Sequence, residues 1–135
     1  MSFAAYLVGT FEKRLGIVTQ FQVVNATAKE IELHAIYLDR NGHVLYCEKD
    51  EIGANALWER DTAKLVEKVG PEAGVAKFFS LKDGKLTEAI VGFQRRVAAG
   101  PFGAISFAVF GESNLADVPL DVGVEDYKKV SSHCP

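Results

Sequence analysis

The chain has 135 residues, 48% apolar and 24% charged, with a formal charge of −3. That make-up is one globular domain able to bury a core unaided, and it excludes disordered and fibrous classes. No Lys/Arg stripe offers a footprint for nucleic acid, and apolar runs such as Ala104–Phe110 are too short to span a bilayer.

The leading Met-Ser-Phe-Ala-Ala-Tyr-Leu-Val lacks a basic segment and a small-residue cleavage site, so it does not read as a signal peptide. Strand-like segments then recur between Gly, Asn and Asp punctuation: 6–12, 17–25, 30–39, 44–51, 75–81, 87–97 and 105–110, with a shorter one at 57–60. The first hairpin turns at Asp39-Arg40-Asn41-Gly42. A two-residue Asn-Gly turn would set Ala35 against Glu48 and Leu33 against Asp50, mixing apolar and acidic residues on one face. A three-residue loop with Gly42 left-handed pairs Asp39 with His43, Tyr37 with Leu45 and Ala35 with Cys47, and it collects the apolar side chains together. In that register Ile36, Leu38, Val44 and Tyr46 lie on the otherwise polar face.

Between strands, 62–69 has helical spacing, with Asp61 as cap and Gly70-Pro71 as stop. The second hairpin turns at Asp83-Gly84, a type I′ pair that sets Leu81 against Leu86. Continued, it sets Phe78 against Ala89 and Ala76 against Val91, giving an inner face of Ala76, Phe78, Ala89, Val91 and Phe93. Two hairpins with one apolar face each bury them against one another. The predicted fold is therefore all-β, a single-domain antiparallel β-sandwich of about seven strands with one short helix between strands. It occupies 1–122; 111–121 reads as loop with a helical turn, and 123–135 as a C-terminal tail.

Catalytic candidates are few. His34 reads as lying opposite Glu48 and beside Glu32, a pairing that suits a general base or, more simply, a solvated polar pair. His43 reads as a turn residue. His133 and Cys134 are adjacent but cannot fill a tetrahedral metal site by themselves, so no metal and no cofactor are expected. Cys47 reads as a small core hydrophobe, with nothing demanding a disulfide to Cys134. With no C-x-x-C pair, this favours a cytoplasmic compartment over a mature periplasmic one. No nucleophile elbow, dinucleotide fingerprint or P-loop is present. The paired acids Asp50-Glu51 and Glu125-Asp126 read as solvating element ends. Arg95 and Arg96 point to opposite faces and serve structure, and Trp58 reads as core packing or a stacking platform.

The segments Val23-Val24-Asn25, Glu32-Leu33-His34-Ala35-Ile36-Tyr37-Leu38-Asp39 and Ala89-Ile90-Val91-Gly92-Phe93-Gln94-Arg95-Arg96 resemble the sensory rhodopsin transducer family over roughly Ile17 to Phe110. The resemblance implies a small soluble β-sandwich that oligomerises and signals through protein contacts without enzymatic chemistry. The chain departs from it at 62–69 and after Phe110, so it implies no particular functional residues and no rhodopsin partner.

The expected function is a non-enzymatic binding or interaction module, oligomeric, contacting a protein partner or a small ligand. One alternative is a carbohydrate- or small-molecule-binding module using Trp58, Tyr46 and Arg95. A second is an enzyme using His34 and Glu48.

Overall fold

The structure is a computed structural model that describes residues 3–12, 17–62, 73–100 and 103–135. Its elements are β1 (Tyr6–Glu12), β2 (Ile17–Asn25), β3 (Ile31–Asp39), β4 (Val44–Ile52), β5 (Leu57–Asp61), β6 (Ala73–Lys82), β7 (Lys85–Leu86), β8 (Ile90–Gly100), β9 (Gly103–Asn114), β10 (Ala116–Asp117) and α1 (Leu120–Ser131). Valine, isoleucine and aromatic side chains alternating along these segments suit a pleated, half-buried surface.

All strand pairs are antiparallel. A six-stranded sheet runs β10-β1-β6-β3-β4 with β7 added to β6, and a four-stranded sheet runs β5-β2-β8-β9. Between them lies one core, to which β1, β3 and β6 contribute Leu7, Leu33, Tyr37 and Phe78, while β2, β5 and β8 contribute Phe21, Val23, Trp58 and Ile90. Phe78 is its centre, edge-on to Phe21 at 5.1 Å and to Trp58 at 5.8 Å. Each such buried aromatic contributes roughly 1.5–3 kcal/mol. The molecule is the all-β sandwich that the apolar alternation predicts.

Gly74 shows how tightly the central strand β6 is held. A Cβ there would lie 2.1 Å from the Leu38 carbonyl oxygen and 2.7 Å from the Phe11 ring. Only glycine fits this approach.

Three expectations are corrected. In the second hairpin the turn is right, since Asp83 and Gly84 both have positive φ and Leu81 pairs with Leu86. The pairing then stops, because the chain leaves β7 for the other sheet and β8 pairs with β2. Phe78 and Ala76 instead face Leu7 and Gly9 of β1 and Ala35 and Tyr37 of β3. Pairing with β2 sets Gly92 against Val23, so Ile90 and Gly92 face inward, and Val91 and Phe93 face outward.

In the first hairpin the loop is also as expected: the Asp39 amide donates to the His43 carbonyl at 2.9 Å, and Gly42 has φ +84°. A bulge follows between Leu38 and Tyr37, where Val44 pairs with Leu38 and Tyr46 with Tyr37, leaving Leu45 unpaired. The strand slips by one residue, and Ala35 faces Glu48, Leu33 faces Asp50, and Cys47 faces Ile36. This is the pairing that apolar segregation argued against. It holds because β3 is buried on both faces, so apolar matching no longer selects one.

The chain end is the third. Strand β9 runs through Asn114, β10 follows, and α1 packs across the outer face of the six-stranded sheet. Val130 and Tyr127 join Ile36, Leu38 and Phe79 in a second apolar cluster, with the Tyr127 ring 4.8 Å from Phe79, and a Cβ added at Gly123 would lie 3.3 Å from Tyr6. Asp121 in the first turn and Lys128 and Lys129 in the last complement the helix dipole. The helix expected over 62–69 lies, beyond Thr62, outside the described residues. Among the described residues no helix is long and apolar enough to cross a membrane.

Candidate functional site

The register slip in β4 builds two polar clusters, one on each face of the hairpin. On the inner face, at the open edge between the sheets, Glu48 and Asp50 meet Arg60 and Trp58 of β5. Glu48 accepts from the Tyr37 hydroxyl at 2.8 Å and from Arg60 Nε at 3.1 Å, and its other oxygen is paired with the Arg60 terminal nitrogen. Trp58 Nε1 donates to Asp50 at 3.0 Å, and the Arg60 guanidinium lies 5.0 Å from the centre of the Trp58 ring. Burial, with the Glu48 charge beside it, holds the Tyr37 hydroxyl well above its usual pKa. For Arg60, burial works against the charged form, but the Glu48 hydrogen bond and charge outweigh it and raise the pKa. Tyr46 stacks on Tyr37 at 6.1 Å. Every polar atom named here is engaged within the cluster, which closes the sandwich edge.

On the outer face, His34 is 4% exposed and is paired with Lys49 of β4 and Phe79 of β6. Its Nδ1 lies 2.8 Å from the Tyr127 hydroxyl of α1, and its Nε2 lies 3.8 Å from Cys134 Sγ. Cys134, beyond the end of α1, is bonded to Cys47. The pairing was not legible because it depends on α1 folding back over the sheet. Burial, with the Lys49 charge second, lowers the His34 pKa to about 4, so the ring is neutral at ordinary pH. Burial, and then Glu32, raises Tyr127. A depression of about 520 Å³ opens beside this group, lined by His34, Cys47, Lys49, Ser131 and Cys134 among others.

The candidate residues therefore separate. Trp58, Glu48 and Tyr46 gather around Tyr37 at the inner edge. His34 is on the opposite face of β3 and does not pair with Glu48, whose carboxylate is committed to Tyr37 and Arg60. Glu48 reaches the rim of the His34 depression, but no acid–base couple joins the two. Trp58 is 7% exposed and presents no open stacking platform. Arg95 lies on the outer face of the four-stranded sheet, donating to Gln20 at 2.9 Å, while Arg96 turns to the other side and reaches Thr10 and Glu12. His43 is an exposed turn residue 3.3 Å from Asp39, and His133 is exposed, apart from His34. Cys47 is disulfide-bonded on the outer face, where a small core hydrophobe was expected.

Asp126, read as solvating an element end, instead accepts from the Tyr6 hydroxyl and pairs with Lys77. The apolar patch expected from Ile36, Leu38, Val44 and Tyr46 does not exist as a surface: Ile36 and Leu38 are buried in the cluster that α1 joins, Val44 is half-buried against it, and Tyr46 packs inward.

No family model matches the chain, and no curated protein matches it. A solved structure described as the crystal structure of Thermotoga maritima 1070 superposes with a TM-score of 0.61 at 13% identity, covering 87% of this chain and 97% of that one. The likeness is one of fold. It spans both sheets and extends to no activity or ligand.

Proposed function

We propose that the chain is a non-enzymatic interaction module that assembles with a second copy of itself through the outer face of the four-stranded sheet. The observation that supports this reading most is the uneven cover on the two sheets. Helix α1 packs on one outer face; among the described residues no element packs on the other. That open face carries an apolar row, Leu57, Val24 and Val91, on three neighbouring strands, and Phe93 stands beside it. Leu57 is 51% exposed and Phe93 36%.

The same face carries an exposed acid, Glu59, on β5 and Arg95 on β8, on either side of β2. A two-fold contact between identical faces brings the acid of each copy toward the base of the other while burying both apolar rows. Glu48, Arg60 and Trp58 are engaged with one another and with Tyr37 and Asp50, and His34 is separated from Glu48, which favours an interaction module over an enzyme built on His34 and Glu48. The family resemblance to small assembling β-sandwiches supports the same reading.

The test is sedimentation of Phe93→Glu and Leu57→Glu beside a control on the other sheet, Lys85→Glu. The face variants are expected to remain single chains at concentrations where the parent and the control associate. Equal association of all four would overturn this choice of face.

A further inference from the structure

We propose that, once the Cys47–Cys134 disulfide is reduced, the two cysteine sulfurs and His34 Nε2 form a Zn²⁺ site with three protein ligands. The site lies on the outer face of the six-stranded sheet, so the proposal stands apart from the docking face and can fail separately from it.

Three elements bring the ligands together. His34 comes from β3, Cys47 from β4 and Cys134 from the turn after α1, and their ligand atoms all lie within 4.8 Å of one another. Sulfurs released from a covalent bond move apart to non-bonded contact, and tetrahedral Zn²⁺ with Zn–S of about 2.3 Å holds its sulfurs roughly 3.8 Å apart. The Cys134 sulfur already sits 3.8 Å from Nε2, the spacing of two ligands on one ion.

The second nitrogen is also arranged for the task. With Nε2 on the metal, Nδ1 carries the proton and donates to the Tyr127 hydroxyl 2.8 Å away, an outer partner that fixes ring orientation. Two thiolates cancel the charge of the ion, so Lys49, facing His34 across the strand pair, meets a neutral centre. The fourth position opens to the depression beside Lys49 and Ser131, which has room for water or a small anion.

A dithiol reductant gives up two electrons and two protons; the Cys47–Cys134 bond breaks, two S–H bonds form, and the reductant closes its own disulfide. Zn²⁺ then displaces both thiol protons to solvent and takes the Nε2 lone pair. The clasp on α1 is thus a disulfide under oxidising conditions and a metal bridge under reducing ones.

The experiment uses the full chain, reduced anaerobically with a water-soluble phosphine, freed of it and titrated with Zn²⁺ against a chromophoric chelator. About one Zn²⁺ per reduced chain and none per oxidised chain are expected. His34→Gln should weaken binding at least tenfold, as should Cys134→Ala, which leaves the buried imidazole in place. Co²⁺ in the reduced chain should show thiolate charge-transfer absorption, about halved at saturation in Cys134→Ala, which keeps one thiolate. Helical ellipticity lost on reduction should return with Zn²⁺. A reduced chain that yields no Zn²⁺ binding against the chelator, or a folded variant that binds as tightly as the parent, would overturn the proposal.

Discussion

Glu48 accepts from the buried Tyr37 hydroxyl and is the nearer partner of Arg60, whose guanidinium also lies 3.7 Å from Asp50 and over the Trp58 ring. Glu48→Ala removes the acceptor and leaves a buried hydroxyl and a half-buried cation without their partner. A loss of about 2–4 kcal/mol in urea unfolding is expected, with Glu48→Gln keeping part of it through its side-chain carbonyl. Asp126 does similar work under α1. Burial alone would raise its carboxyl pKa, but the Lys77 and Tyr6 hydrogen bonds outweigh that and hold it below the ordinary 3.8. A depressed carboxyl stabilises the fold above the unfolded pKa, and that stabilisation fades as pH falls through the lower folded value. Asp126→Asn should therefore cost on the order of 1 kcal/mol at neutral pH, with the gap from the parent closing below about pH 4 in pH-dependent urea unfolding. Neither role was legible. Glu48 reads as outward in any register that segregates apolar from acidic residues, and Asp126 acquires partners only when α1 docks.

At the scale of elements, the strands were legible and their partners less so. The alternation in Ile17–Asn25 and the Asp83-Gly84 turn are local signals, and both hold. Which strand β8 pairs with is a non-local choice, and a two-residue β7 carries no sequence mark of where the hairpin stops. The bulge at Leu45 is equally silent, since both faces of β3 are buried. Helix α1 is hidden for another reason. Val122 and Val124 face solvent while Gly123, Asp126 and Tyr127 face the sheet, so the buried side is not the apolar side. Few apolar contacts hold such a helix, and the bond between residues 87 apart supplies the remainder. Reducing Cys47–Cys134 in metal-free buffer should lower stability by about 4 kcal/mol and reduce helical ellipticity, with near-ultraviolet signals of the sandwich core retained. Circular dichroism with and without reductant checks this; simultaneous loss of both signals would show that α1 and the core unfold as one unit.

For the whole molecule, the sandwich was readable because several separate strand segments carry an apolar face and two packed sheets bury those faces together. Its surface was not readable to the same degree. Ile36 and Leu38, assigned to an exposed patch, are buried in the cluster that α1 joins, and the face left open among the described residues belongs to β5, β2 and β8, whose outward residues follow from strand pairing alone. On the proposed reading, a second copy covers the apolar row that is left open among the described residues. Light scattering on the oxidised chain across a micromolar concentration series measures this most directly. The account predicts a mass rising to at least twice that of one chain; the mass of one chain at every concentration would contradict it.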